Sequence, residues 1–464
     1  MWVIGSIGAM TAQAGSISVS GYLAGPDSGA ATPNPAAAHF NPAALAAVEG
    51  VQILTDAQAT FVRVDVTPTR NDGIDPNTGE VYAPSAARVT VPVGLLGVSG
   101  QVIRDRLTVG LAVADVFAGG GDYRAGEPDD TAPWESSTRY AGVVSKIITI
   151  HVIPAVGVTV VDGVHVGGSV KWVYDSIDAI QASDPLGTEG VSFSGPYTGD
   201  SILEIDASGS HLGGAAGLFV NRWDKAQIGV SYTENGRFSA EGTGSVDAPD
   251  LVGGGNPDAL VTFEADLPAV VHAWVNSQLS DRLMIGMGVE AQLWGACCGD
   301  QDGDILIGIT STDGDPIGAD AEDGLAIEIA SEQTSPRRLV NSYNLGTTGG
   351  WQAIDELWLG WRLGTNTAAV PDYAVSATNL DFANIGAQVG VRWTPSEKVQ
   401  LGLSAAHFGL FTRTIENSAW DVRDPNSPDY VDERFSPKNP YKAGTNGIYE
   451  GKADSIGLRF AVRI

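Results

Sequence analysis

Apolar residues alternate with glycine or polar residues over long stretches of this sequence. Across residues 283–294, every second position carries Leu, Ile, Met, Val or Ala, and the positions between them include Gly286, Gly288 and Glu290. Successive side chains of a β-strand point to opposite faces, so such a stretch has one apolar and one polar face. Strands of soluble sandwiches usually run about 5–6 residues, whereas a tilted strand needs about 9–11 residues to cross a bilayer. The length of the alternation therefore predicts membrane-spanning strands.

The alternation recurs from residue 51 to residue 464 and divides this part of the chain into fourteen strands. Short turns alternate with long connections rich in glycine, aspartate and proline, as in outer-membrane barrels, where turns lie on one rim and long loops on the other. Residues 51–464 are therefore predicted to form an all-β, 14-stranded antiparallel transmembrane β-barrel. The predicted extracellular loops are 67–86, 119–142, 181–204, 242–258, 297–335, 367–379 and 415–449.

Residues 15–50 lack the alternation and are rich in alanine, glycine, serine and proline. Asn-Pro-Ala occurs at 34–36 and at 41–43, and a residue before proline is pushed out of the helical region, which indicates turns. A small irregular segment ahead of one large sheet predicts a plug inside the barrel. The alternative is a disordered leader or an arm beside a strand. Residues 1–14 resemble the end of a secretory signal, because an apolar run precedes Ala-Gln-Ala at 12–14.

The charge balance excludes one class of partner. The formal net charge is −29 and the pI is about 4.3, which argues against binding to nucleic acid, whose phosphates require basic side chains. The two cysteines, Cys297 and Cys298, are adjacent, so they cannot build a disulfide framework. A disulfide between these neighbours is one interpretation, but the sequence favours two free or oxidised thiols in a loop.

No enzyme motif stands in a supporting context. The six histidines are scattered without metal-ligand spacing, and neither a nucleophile elbow nor a nucleotide-binding loop is present. We therefore expect no catalytic activity and no cofactor.

Five segments together resemble a known family. They are FNPAALAAVEG at 40–50, PAVGVTVVDGVHVGGSVKW at 154–172, FEADLPAVVHAWV at 263–275, NLGTTGGWQAIDELWLGWRLG at 344–364 and TAAVPDYAVSATNLDFANIGAQVGVRW at 367–393. Their order and spacing resemble the FadL/TodX-type transporters (OmpP1/FadL family), which take long-chain fatty acids and aromatic hydrocarbons across Gram-negative outer membranes.

The resemblance implies passive uptake of hydrophobic compounds. Substrate would enter an internal apolar pocket, the plug would rearrange, and substrate would leave sideways through a gap in the wall near a kinked third strand. The plug motif of such proteins corresponds to Asn41, Pro42 and Ala43. The kink is expected within 107–117, where Gly110 is the candidate residue and no proline occurs.

The pocket departs from the fatty-acid carriers of the family, which hold the carboxylate with basic residues. Gln181 and the pair at 332–333 stand where those cations are expected. The candidate substrate-binding cations are Arg337 and Arg338, which lie nearby, and Lys171 and Arg362, which point inward by alternation, as does Arg392. The alternative is that these residues pair with other charges in the lumen, for example with Glu290. Fatty acids and neutral hydrocarbons therefore both remain candidate substrates.

One acidic run resembles the start of a calcium loop. Asp300, Asp302 and Asp304 have the spacing of calcium ligands, but Ser311 stands where an EF-hand needs its closing glutamate. Weak calcium binding at the cell surface and a solvated acidic loop are the two interpretations.

Two classes of function follow from these features. The first is a monomeric outer-membrane transporter of hydrophobic small molecules, surrounded by lipopolysaccharide and other outer-membrane lipids. The second is a structural or adhesive outer-membrane barrel whose acidic loops bind a partner.

Overall fold

A computed structural model describes most of the barrel and the second half of the plug. The described residues are 29–68, 84–123, 138, 142–183, 201–247, 258–299, 305–311, 332–335, 338–377, 379–416, 418 and 446–464. The predicted signal at 1–14, the first part of the plug at 15–28 and most of the predicted loops lie outside these residues.

Nineteen strand segments form one antiparallel sheet. They are β1 (Val51–Pro68), β2 (Ser85–Ile103), β3 (Leu107–Asp122), β4 (Val144–Val161), β5 (Val164–Ser183), β6 (Ser201–Trp223), β7 (Ala226–Glu234), β8 (Arg237–Asp247), β9 (Asp258–Asp266), β10 (Val270–Ser280), β11 (Leu283–Gln292), β12 (Ile305–Ser311), β13 (Glu332–Ser335), β14 (Ser342–Ile354), β15 (Leu357–Asn366), β16 (Asn384–Ser396), β17 (Val399–Leu410), β18 (Arg413–Ile415) and β19 (Gly447–Arg463).

The sheet closes on itself into a barrel. β1 pairs with β2 along one edge and with β19 along the other, so the first and last strands seal the wall. Five crossings of the wall consist of two successive segments, namely β7–β8, β9–β10, β11–β12, β13–β14 and β17–β18, which gives fourteen crossings. The predicted all-β, 14-stranded antiparallel barrel is therefore confirmed.

Two of the breaks between segments lie side by side. Gly236 separates β7 from β8 at a φ of +77°, a conformation that glycine adopts without strain. In the next crossing, Pro268 interrupts β9 and β10, because proline has no backbone N–H to donate to the ladder. The Asn235 Nδ2 atom donates to the Pro268 carbonyl oxygen at 2.9 Å, and Leu267 N donates to Gly236 O at 3.1 Å. The two breaks therefore stabilise each other.

The structure differs from the sequence prediction in the loop assigned to 297–335, which contains β12 and β13. β12 carries the alternating isoleucines Ile305, Ile307 and Ile309, all of which are buried, and it pairs with β9. The segment 297–335 is therefore not irregular over its whole length. The alternation in β12 is short and lies between acidic stretches, so the composition of the segment favours a loop.

The outward face of the wall carries an apolar band. Along β19, Ile456, Leu458 and Phe460 point outward and are exposed, whereas the outward positions nearer the long loops are Asp454 and Lys452. Because charged side chains are costly in hydrocarbon, we place the outer edge of the lipid contact between Ile456 and Asp454. Among the described residues, no helix is both long enough and apolar enough to span a membrane.

The rim with long loops is covered by an ordered segment between β15 and β16. In this segment, Asp381 is fully buried and accepts hydrogen bonds from Ala369 N at 2.5 Å and Val370 N at 3.3 Å. Arg413 donates to the same carboxylate at 3.1 Å and to Asp372 at 2.6 Å. We call residues 367–383 the cap. The cap belongs to one apolar cluster with Trp294, Leu339 and Tyr449, and so covers the lumen from this side.

The adjacent cysteines form a disulfide with each other, which corrects the interpretation as free or oxidised thiols. Both residues lie in helix α2 (Trp294–Cys298), next to the cap. Cys298 is buried in the cap cluster, and its carbonyl oxygen accepts a hydrogen bond from Leu339 N at 2.9 Å. The pair therefore lies in a packed element rather than in an open loop.

A charge placed in the apolar band should weaken the barrel according to its depth. We expect Leu458→Lys, in the middle of the band, to lower the free energy of unfolding by about 2–4 kcal/mol, and Val102→Lys, near the short turns, by about 0–1 kcal/mol. Urea unfolding in lipid vesicles, followed by tryptophan fluorescence, measures both values. Equal losses at the two positions would contradict the assignment of the band.

Candidate functional site

The described part of the plug, residues 29–48, lies in the lumen. It contains α1 (Ala37–Phe40) and a 3₁₀ helix (Pro42–Ala47), and most of its side chains are buried. Its alanines pack against inward side chains of the wall, including Ile153 and Phe219. Because these alanines are small, the backbone of the plug lies close to the wall.

Glycines in the wall make this close approach possible. A Cβ atom at Gly157 or Gly167 would overlap the backbone of the plug's 3₁₀ helix, and a Cβ at Gly217 would overlap the side chain of Asn41. These glycines lie in β4, β5 and β6, so the strands and the plug match in shape. A larger residue at any of the three positions would push the plug away from the wall.

The side chain of Asn41 makes hydrogen bonds within the plug and to the barrel wall. Its Oδ1 atom accepts a hydrogen bond from Ala43 N at 3.1 Å and so caps the 3₁₀ helix, in which Pro42 is the first residue. Its Nδ2 atom donates to Ala30 O at 2.8 Å and to Leu218 O of β6 at 3.1 Å. The side chain is fully buried and has no contact with water. Losing any of these hydrogen bonds would therefore leave a buried polar group unpaired, which is costly.

Two further hydrogen bonds hold the plug from other strands. Ser231 Oγ of β7 donates to Phe40 O at 2.7 Å, and Asn276 Nδ2 of β10 donates to Ala31 O at 3.1 Å. Trp274 Nε1 donates to Asn276 Oδ1 at 3.0 Å and thereby fixes the orientation of that amide. The plug is thus bonded to three separate strands.

An internal cavity of about 220 Å³ lies on the long-loop side of the plug. Its floor is the plug, through His39 and Phe40, and Trp294 separates it from the cap. Its apolar lining is Phe40, Ile147, Val173, Phe238, Leu267, Pro268, Val270 and Trp294. Its polar lining is His39, Thr149, His151, Lys171, Asp175, His211, Thr233, Asn235, His272, Glu290 and Gln292. The lining of the cavity therefore combines apolar side chains with many polar ones.

Four of the six histidines meet in this cavity. His151 of β4 and His211 of β6 are both paired in register with Val173 of β5, and His39 of the plug lies with its ring centre 6.3 Å from that of His151. His272 enters from β10. Spacing along the chain does not reveal this cluster, because its members come from the plug and from three different strands. The signal that was available is parity, since each wall histidine of the cluster occupies an inward position of its strand.

Two carboxylates face the histidines. Asp175 accepts a hydrogen bond from Thr149 Oγ1 at 2.6 Å, and its other oxygen lies 3.1 Å from His211 Nδ1. Glu290 accepts a hydrogen bond from Gln292 Nε2 at 2.9 Å and lies 3.3 Å from His272 Nδ1. The acidic groups are therefore held by neighbouring strands at fixed places in the cavity.

The plug histidine is kept neutral by its surroundings. Burial lowers the pKa of His39 well below its ordinary value, and the nearby Lys171, His151 and His272 lower it further. The ring lines the cavity, and burial within the lumen is the main cause of its lowered pKa.

The structure separates the cations that the sequence proposed for substrate binding. Lys171 is buried, lines the cavity and lies 3.5 Å from Thr233 Oγ1. Arg362 instead places its guanidinium over the Trp274 ring at 5.1 Å, and neither Arg362 nor Arg338 is among the residues that line the cavity. Arg337 lies outside the described residues.

The wall has an unpaired stretch between β2 and β3. Their ladder ends at the pair Gly94 and Asp115, beyond which β2 pairs only with β1 and β3 pairs only with β4. β3 also shifts register between Asp115 and Phe117. Gly110, the predicted kink residue, is regularly paired with Ser99 and Ala155. The irregularity is therefore in the predicted strand but not at the predicted glycine.

The calcium hypothesis lies outside the described residues, because Asp300, Asp302 and Asp304 are not among them. Within the described part of the chain, no group of three or more His, Cys, Asp or Glu side chains has the geometry of a metal site.

One protein family matches more than half of the chain. The family described as outer membrane protein transport protein (OMPP1/FadL/TodX) matches residues 4–297. A FadL homologue of Pseudomonas aeruginosa has a similar structure, with a TM-score of 0.69 and 14% identity, covering 94% of this chain and 95% of the homologue. The toluene transporter TodX of P. putida has a TM-score of 0.63 and 14% identity, covering 97% of this chain and 99% of TodX. The Ralstonia pickettii toluene transporter TbuX has a TM-score of 0.59 and 15% identity, covering 97% of this chain and 99% of TbuX.

These structural likenesses support the fold alone, because the sequences have diverged. A comparison with curated protein sequences finds no match.

Removing the Asn41 side chain should loosen the plug without unfolding the barrel. Asn41→Ala deletes three hydrogen bonds and leaves buried carbonyl oxygens unpaired, at a cost of about 1–3 kcal/mol. We expect amide hydrogen exchange across residues 29–48 to accelerate about tenfold or more. Asn34→Ala is the matched control, since Asn34 bonds only within the plug, to Ala36 N at 2.8 Å. Similar acceleration in both variants would refute the special role of Asn41.

Docking of the plug should weaken in acid because of His39. The pKa of His39 is lowered in the docked plug, whereas a released plug would have the ordinary value of about 6.5. The released state therefore binds more protons below about pH 6.5, so docking is unaffected above that pH and is weakened as the pH falls through it. Hydrogen exchange of residues 29–48 at pH 7.5 and pH 5, corrected for intrinsic rates, measures this. His39→Gln should reduce the pH dependence, and an unchanged dependence would show that His39 is not responsible.

Proposed function

The chain belongs to the OMPP1/FadL/TodX family of outer-membrane transport proteins, and we propose that it carries hydrophobic small molecules passively through its lumen. The observation that carries the proposal is the cavity between the plug and the cap. Its lining includes eight apolar side chains, against which a hydrophobic solute can bind.

The apolar lining of the cavity supports binding of an aromatic ring or an aliphatic chain. An aromatic ring that buries about 200 Å² gains about 5 kcal/mol at about 25 cal/mol per Å², before the cost of immobilising the ligand. A dissociation constant of about 1 mM corresponds to about 4 kcal/mol. Weak binding of this order suits a carrier, since the solute must leave again.

We propose that release begins with movement of the plug. Asn41, Pro42 and Ala43 form the hinge region between α1 and the 3₁₀ helix, and Asn41 holds both to the wall. The plug is held largely by alanine contacts and a few hydrogen bonds, so its displacement exposes little apolar surface. Among the candidate cations, Lys171 is the one we assign to the cavity.

We propose the unpaired stretch between β2 and β3 as the exit. Backbone groups without a ladder partner are costly in lipid, so a wall that keeps such a stretch departs from the most stable arrangement. On the inner side, Ala87 of β2 lies beside Gly121 of β3. A hydrophobic solute leaving here would enter the lipid without crossing the plug's anchors.

Bridging this stretch should stop uptake. A Cβ atom at Gly121 would lie 3.3 Å from the Ala87 Cβ, near the distance of a disulfide, although the Tyr123 ring must shift to accommodate it. We expect cells that express the double variant Ala87→Cys, Gly121→Cys to lose most uptake of radiolabelled toluene and oleate after oxidation and to regain it on reduction.

The controls are each single variant and the wild type under the same oxidant and reductant, because the native disulfide also responds to reduction. Uptake by the oxidised double variant at the wild-type rate would rule out this exit. Uptake by wild-type cells no greater than by cells with empty vector would overturn the transport proposal and favour a structural or adhesive barrel.

A further inference from the structure

The cavity contains buried polar atoms that the protein itself does not satisfy. Within the part of the chain that the structure describes, the Nδ1 atoms of His39 and His151 and the Nε2 atom of His211 have no hydrogen-bond partner. The Nδ1 atom of His211 and one carboxylate oxygen of Asp175 lie 3.1 Å apart, and neither makes a hydrogen bond of acceptable geometry. His151, His211 and Asp175 are all at least nine-tenths buried. These atoms belong to side chains that line one cavity.

Such groups are unusual in a folded protein. Most buried polar atoms are hydrogen-bonded, because an unpaired one loses its contact with water without compensation. An entirely apolar cavity would avoid this cost and would suit a plain hydrocarbon better. Among the described residues, five of the seventeen such side-chain atoms belong to residues that line this cavity, where a ligand could supply the missing bonds.

The chemical types of these groups restrict the ligand. A neutral imidazole has one nitrogen that donates and one that accepts, and a carboxylate only accepts. A hydroxyl group both donates and accepts, so it can bond to an imidazole pair or bridge an imidazole and Asp175. A hydrocarbon can do neither, and it would have to displace whatever water hydrates these groups.

The charges around the cavity disfavour an anionic head group. One ammonium, Lys171, faces two carboxylates, Asp175 and Glu290, and His39 is held neutral. A bound carboxylate would add a further negative charge to a site where acids outnumber the basic group. An uncharged head group avoids this repulsion.

The size of the cavity fits a single aromatic ring. An apolar cavity of about 150 Å³ in another protein accommodates benzene, and this cavity is about 220 Å³. Phe40, Val173 and Phe238 supply apolar contacts. Val173 lies between His151 and His211 in one cross-strand row, and the Phe238 ring centre lies 6.4 Å from that of His211.

We infer that the preferred ligand of this cavity is an uncharged, hydroxyl-bearing hydrophobe of about one aromatic ring, such as an alkylphenol, rather than a hydrocarbon or a fatty-acid anion. The inference rests on the proposed transport function and names the substrate class for the same cavity. The ring contacts the apolar lining, and the hydroxyl group bonds to His211, whose Nε2 atom has no hydrogen-bond partner in the protein.

Binding of three molecules with one skeleton tests the inference. Isothermal titration of the purified protein in detergent at pH 7.5 compares 4-propylphenol, propylbenzene and 4-propylbenzoate, with matched micelle blanks to subtract partitioning. We expect 4-propylphenol to bind at least tenfold more tightly than either of the other two, since a site with unpaired polar groups discriminates against a ligand that leaves them unpaired.

The outcomes separate the inference from the function on which it rests. Equal or tighter binding of propylbenzene or 4-propylbenzoate overturns the inference and leaves hydrophobic transport standing. Binding of none of the three counts against the cavity as a transport site and so against both.

Two variants locate the effect. His211→Phe keeps an aromatic ring but removes the polar atoms, so the preference for 4-propylphenol over propylbenzene should fall about tenfold. His407→Phe is the same substitution at an exposed position outside the cavity, where His407 pairs with Asp454, and should leave the preference unchanged. A preference that survives His211→Phe in a protein that still migrates as a folded barrel would place the hydroxyl contact elsewhere and refute this site.

Discussion

Backbone hydrogen bonding in lipid is the constraint on which this architecture depends. Hydrocarbon offers no partner to a peptide N–H or C=O, so a spanning sheet must have no free edge. The pairing of β1 with β19 removes that edge. In such a wall, a stretch without inter-strand hydrogen bonds costs free energy that the rest of the wall does not pay. The unpaired stretch between β2 and β3 therefore indicates a functional role more strongly than an irregular loop would.

The closed wall also decides what the lumen must do. A cylinder of fourteen crossings is too wide to be filled by its own inward side chains, and here the inward row contains many glycines. The plug fills this space because its alanines and the wall glycines at Gly157, Gly167 and Gly217 allow backbone to approach backbone. The cavity lies beside the plug, whose residues His39 and Phe40 form part of its lining. Its position is therefore set by where α1 ends, at Phe40, and by the anchor at Asn41.

Local pattern was sufficient to predict the wall, and it failed where the determining contacts are long-range. Alternation in each strand predicted the barrel and the inward position of Lys171. It did not predict the meeting of His39, His151, His211 and His272, because their proximity depends on the register between strands and on where the plug lies. For the kink that the resemblance implies in this strand, the sequence offers Gly110 as the candidate, whereas the register shift with β4 lies between Asp115 and Phe117. β12 was missed because its short alternation lies between acidic residues.

The contrast between the two faces of the wall bears on selectivity. The outward face contacts lipid and is uniformly apolar in its central band, so it cannot discriminate between solutes. The inward face above the plug carries imidazoles and carboxylates that a hydrocarbon carrier would not need. Imidazole is well suited to this place, since it is neutral near pH 7 and can therefore be buried at less cost than a charged group. The Nδ1 atoms of His39 and His151 and the Nε2 atom of His211 have no hydrogen-bond partner in the protein, which weakens the folded state. Evolution ordinarily removes such a cost unless binding makes use of it. The polar side of the cavity is therefore where the choice among hydrophobic solutes would be made.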